Sequence, residues 1–204
     1  MRLLAAIGVL AIIAAFGAAL YFLGGFYNVA GTEEDPKIVN WALVQVRAAS
    51  IVRHARDPLP ANFDDPANVA AGAKEFAEHG CANCHGAPGV NWQKFSEGMH
   101  PDPPDLKEVV NDRTPQQLFW VIKNGINMTG MPSFKLAGAS DDDIWKITAF
   151  LRKLPNVSEA DYKSWTAPPP PPAPPAPPAA APAAPPADAP ATPAAPAAPP
   201  AQNQ

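Results

Sequence analysis

Cysteine is almost absent from this chain: its 204 residues contain two, Cys81 and Cys84. Any thiol chemistry must therefore be read as one unit. Positive charge is also scarce, with 15 Lys and Arg against 19 Asp and Glu, and the absence of a basic stripe excludes nucleic acid as a partner. Residues 60–166 carry 14 acidic and 10 basic side chains, a balance of 10 − 14 = −4. Nor is a strongly basic docking face evident. No stretch alternates apolar and polar residues between hairpin signals, and no βαβ pattern is present, so strands are not expected. Charge is missing altogether from Leu3 through Phe26, which is longer than the roughly 20 residues a bilayer span requires.

That uncharged stretch predicts an uncleaved single-pass anchor over residues 1–27. A cleaved signal peptide has an apolar region of only about 7 to 15 residues and ends in a small-residue site, which Tyr27-Asn28-Val29-Ala30 does not resemble. Arg2 precedes the span and Glu33, Glu34 and Asp35 follow it. The positive-inside rule then leaves the N-terminus cytoplasmic and the remainder on the far side. At the other end the composition shifts abruptly. From Ala167 onward, 17 of 38 residues are proline and the single charge is Asp188, a Pro/Ala-rich tail over 167–204 that cannot build a packed core and is expected to be disordered.

Between these ends stands Cys81-Ala82-Asn83-Cys84-His85. It has the form of the attachment signature for a covalent c-type haem. Two thiols three positions apart can add to the two vinyl groups of one porphyrin, while the adjacent imidazole reaches the iron. A redox disulfide expects a βαβ setting, and a zinc site expects further ligands at a spacing that His54, His79 and His100 do not offer. A second iron ligand is expected downstream, in Gly125-Ile126-Asn127-Met128-Thr129-Gly130-Met131-Pro132. Gly130 permits close approach and Pro132 holds Met131 extended. Met131 is the preferred thioether, Met128 the alternative, and Met99 reads as a loop packing residue.

These motifs resemble the class I, or monohaem, cytochrome c family from about Asp65 to Pro155, in its membrane-anchored bacterial form. The resemblance implies one covalently attached haem c, with Cys81 and Cys84 as anchors and His85 and Met131 as iron ligands. It implies that Gly72 and Phe76 lie where a first helix meets the last, which carries Trp145. It also implies that Pro104, in Pro103-Pro104-Asp105-Leu106, accepts the Nδ1–H of His85.

Local signals agree with an all-α fold. Asp65-Pro66 and Thr114-Pro115 read as helix starts, Ser140 with Asp143 as a capping box, and Leu154-Pro155 as a stop. The expected organisation is an anchor over 1–27, a juxtamembrane helical segment over 28–59, a haem domain over 60–166 and the tail over 167–204. In the juxtamembrane segment Ile38, Trp41, Ala42, Val46, Ala49 and Val52 mark one helical face. Trp92, Phe119, Trp120 and Phe134 read as packing residues first and haem neighbours second.

The expected function is single-electron transfer by a membrane-tethered monohaem cytochrome, an electron-transfer protein and not an enzyme by itself. Its expected place is the bacterial inner membrane, with the haem domain periplasmic. The resemblance implies quinol-oxidising complexes or dehydrogenases as donors and terminal oxidases or reductases as acceptors, with membrane lipid around the anchor. The alternatives are a subunit of a larger dehydrogenase or oxidase complex, and a haem sensor or catalyst with an open distal site.

Overall fold

Side-chain caps open the helices that build the core. The computed structural model describes residues 1–168; the expectation for the Pro/Ala tail falls on residues that lie, Ala167 and Pro168 apart, outside them. Helix α1 covers Arg2–Leu23 and α2 covers Lys37–His54. Asp65 accepts from Ala67 N at 2.9 Å and Pro66 opens α3, Pro66–Glu78. A single turn, α4, spans Cys81–His85, and α5 spans Leu106–Val109 behind an Asp105 cap. Thr114 and Gln117 close a reciprocal capping box at the start of α6, Pro115–Asn124. Ser140 and Asp143 do the same for α7, Asp141–Lys153. No β-strand occurs among the described residues beyond an isolated bridge between Ala87 and Val90, and the fold is all-α.

The crossing of α3 and α7 organises the core. Ala73 and Phe76 on α3 pack with Ile144, Ile147, Phe150 and Leu151 on α7, all buried, with the Phe76 and Phe150 rings 5.3 Å apart, while Val69 meets Ala149 and Phe63. Gly72 makes the crossing possible. A Cβ there would lie 1.9 Å from the Lys146 carbonyl oxygen, so only hydrogen fits. Trp145 stacks on Phe119 of α6 with ring centroids 4.0 Å apart, which seats the third core helix. The Arg152 guanidinium donates to the Val110 carbonyl at 2.8 Å and the Arg113 carbonyl at 3.3 Å, fastening the segment after α5 to α7.

Two features differ from the sequence expectation. Beyond the Leu154-Pro155 stop the chain forms another helix, α8, Glu159–Thr166, capped by Ser158, and its Tyr162 is buried against Phe150. In α2 the docked face is not the apolar one. Ile38, Trp41, Val46 and Val52 remain 59% to 70% exposed, whereas Ile51 is buried and His54 stacks over Trp120 of α6. One apolar residue and an imidazole suffice to dock the helix, because Asp57 just beyond it pairs with Lys123 of α6 at 3.1 Å.

Among the described residues, α1 is the one helix long and apolar enough to cross a membrane, and none of it is buried. It is compatible with a single-pass anchor.

Candidate functional site

Cys81, Cys84 and His85 occupy positions i, i+3 and i+4 of one helical turn, which places the three side chains on one face. The turn is entered through Gly80 at φ 72° and left through Gly86 at φ 66°. That face lines a cavity of about 460 Å³, bounded by Leu118, Val121 and Ile122 of α6, Ile147 and Leu151 of α7, Phe134, and the loop that carries Met131. The size falls within the range of sites for small organic ligands, about 300–1,000 Å³.

The His85 ring is held from behind. Its Nδ1 lies 3.0 Å from the Pro104 carbonyl oxygen. A carbonyl can only accept, so Nδ1 carries the proton and Nε2 keeps its lone pair. Burial pushes the His85 pKa below its ordinary value, partly offset by that bond, which favours the neutral imidazole a metal requires. Pro104 is delivered by a long loop that folds back on α4, with Gln93 N donating to the Asn83 carbonyl at 2.7 Å and the buried Ser96 hydroxyl donating to the Gln93 carbonyl at 2.8 Å. His79 also lines the cavity, but its Nε2 lies 3.7 Å from the Glu75 carboxylate and its ring meets Phe134 edge-on.

The Cys81 thiol is unlike the reactive thiol of a disulfide exchanger. Reactive Cys-x-x-Cys pairs hold a thiol below its usual pKa. Burial instead pushes the Cys81 thiol up to about 12.

The methionine loop is tied at its neck. Ile126 N donates to the Met131 carbonyl at 3.1 Å, Phe134 N to the Ile122 carbonyl at 3.2 Å, and the Ser133 hydroxyl to the Lys123 carbonyl at 2.7 Å. Thr129 braces the interior, donating to the Ile126 carbonyl at 2.8 Å and accepting from Met131 N at 3.1 Å. Met131 lines the cavity and packs on the core. Met128 sits at φ 59° and is 79% exposed. Met99 was expected only to pack a loop, yet it too lines the cavity, its sulfur pressed against Gly130. Nothing in its local sequence signalled this, because a long-range fold of the 99–104 loop brings it there. Of the four aromatics considered, Phe134 alone lines the cavity; Phe119 is core, Trp120 packs on His54, and Trp92 is exposed.

Residues 67–151 match the family described as cytochrome C oxidase, cbb3-type, subunit III. This segment is a cytochrome c domain. Comparison with curated proteins and with solved structures returned no match. A cytochrome c domain implies a covalently bound haem c, and the donor set fits it: two thiols and an imidazole on one turn, at an apolar cavity that also presents a thioether. Ile122, Phe134, Ile147 and Leu151 of the cytochrome domain supply dry walls for a macrocycle.

Proposed function

We propose that the chain is a membrane-anchored monohaem cytochrome that passes single electrons between redox proteins of a respiratory chain. The observation that carries this reading is the 3.0 Å contact of His85 Nδ1 with the Pro104 carbonyl, at the cavity that Cys81, Cys84 and Met131 also line. The bound haem supplies a one-electron iron couple. Cys81 and Cys84 hold the porphyrin through thioethers, and His85, its ring fixed by Pro104, offers Nε2 to the iron. Met131, on the tied loop, would offer its sulfur as the second iron ligand, which would favour a higher reduction potential. The apolar walls exclude water, so the chain's part is to hold geometry and dielectric constant while the chemistry belongs to the cofactor.

In this reading α1 spans the bacterial inner membrane with the N-terminus cytoplasmic and the cytochrome domain in the periplasm. A second reading, a subunit of a terminal oxidase or related complex, is supported by the family description and by the unpartnered apolar face of α2. Extraction in mild detergent separates the two: a stoichiometric complex supports the subunit, a lone cytochrome the carrier. The primary test is the ferric absorption spectrum of full-length protein made in cells competent for haem c maturation, taken with its pyridine haemochrome, which counts the haem. One haem c per chain, with the weak ferric sulfur-to-iron band lost in Met131→Ala and kept in Met128→Ala, is the expected result. A colourless chain refutes the proposal.

A further inference from the structure

One wall of the cavity comes from outside the matched segment. Arg47, on α2, is half-buried and lines it. It is the sole Lys or Arg among the lining residues, and Asp102 is the sole acid. Among the described residues Arg47 enters no ion pair.

Its place is built by α2 docking. Arg47 stands one turn before Ile51 and two before His54, so the three share a face. Ile51 is buried, and His54 lies over Trp120 with ring centroids 6.1 Å apart. The salt bridge between Asp57 and Lys123 at 3.1 Å clamps the segment beyond them. The face that carries Arg47 is therefore held against α6 and the cavity mouth.

A half-buried arginine with no ion-pair partner leaves its charge uncompensated at the edge of an apolar cavity, where a carboxylate would be favoured. A c-type porphyrin carries two carboxylates, and no other permanent cation in the lining can meet them. We propose that Arg47 binds the carboxylate edge of the haem, so that the site is completed by the helix joining the cytochrome domain to the anchor. This assignment rests on the electron-transfer reading above. A guanidinium fork matches a carboxylate in two parallel hydrogen bonds, which a lysine cannot reproduce. Reduction adds one electron beside that cation, so Arg47 stabilises the reduced form and raises the potential.

The test is potentiometric titration of full-length, haem-loaded protein in detergent at fixed salt, comparing wild type with Arg47→Gln, Arg47→Lys and, on the exposed side of the same helix, Arg53→Gln. The expected result for R47Q is a fall of about tenfold in the reduction equilibrium constant, which is 59 mV for one electron. R47K is expected between R47Q and wild type, and R53Q at wild type. Loss of haem from R47Q but not from R47K also supports a required cation. The assignment is overturned if R47Q keeps the wild-type potential, if R47Q and R53Q shift equally, or if haem is lost from R47Q and R47K alike. A wild-type chain without haem refutes the electron-transfer reading itself, whereas the Arg47 outcomes compare each variant with a haem-loaded wild type.

Discussion

Gly72→Ala tests the helix crossing on which the core depends. The added methyl would begin 1.9 Å from the Lys146 carbonyl oxygen and 2.4 Å from its carbon. Backbone cannot rotate aside as a side chain can, so α3 and α7 must part by roughly 1.5 Å to restore ordinary contact. That movement opens the Phe76–Phe150 contact and the packing around Ile144 and Ile147. Overpacking of this kind costs about 3 kcal/mol, the upper end of the usual range. Replacing a mid-helix glycine by alanine returns about 1 kcal/mol of backbone propensity. The net loss is about 2 kcal/mol, and each kcal/mol lowers Tm by about 4–8 °C in a domain of this size. Thermal unfolding of the haem-loaded chain, followed by circular dichroism, should therefore shift down by about 8–16 °C. An unchanged or raised Tm would refute the reasoning, since that is how an unobstructed helical glycine behaves.

Three further perturbations follow from the same geometry. Gly125 sits at φ 69°, ψ −172°, with Pro132 and Met131 backbone atoms 2.6 and 2.7 Å from a notional Cβ; the strain of Gly125→Ala, about 1–3 kcal/mol, should loosen the Met131 loop and raise carbon monoxide binding to the reduced protein about tenfold. Ser140→Ala should cost about 1 kcal/mol at neutral pH through the lost cap. The Ser140 hydroxyl also donates to the Asp143 carboxylate and holds that carboxyl below its usual pKa, so the part due to this bond is present above about pH 3.9 and fades as pH falls through the depressed value; denaturant melts of wild type and variant should therefore draw closer in acid, leaving the backbone cap as the remaining difference. Lys123 bridges Asp141 at 2.8 Å and Asp57 at 3.1 Å, contacts that raise its pKa, the Asp141 hydrogen bond foremost. Lys123→Met should cost about 1–2 kcal/mol, and wild type alone should lose this contribution as pH rises above about 10.4, read by alkaline unfolding.

What was legible in the sequence is what depends on near neighbours along the chain. Caps at Asp65, Thr114 and Ser140 involve side chains two or three residues from the groups they satisfy, so their helices start where the pattern placed them. The haem-attachment turn is likewise local, since five residues bring two thiols and an imidazole to one face. Helix α8 carries a readable signal as well, Ser158 followed by Asp161, masked by the proline stop before it, which ends α7 without ending the domain. The docked face of α2 could not be read from apolar periodicity, because α6 selects the face through Ile51, His54 and Asp57.

Residue order alone determined the all-α class, the uncharged apolar span near the N-terminus and the chemistry of the Cys81–His85 turn, since each rests on contacts within about one helical turn or on composition. Tertiary folding alone decided that the Pro104 carbonyl meets His85 from 19 positions away, that Met131 lines the cavity while Met128 faces solvent, and that Arg47 reaches the cavity from α2. Such meetings depend on loop paths and helix crossings, where the space left by Gly72 and the tied neck of the methionine loop select one arrangement that no local pattern encodes.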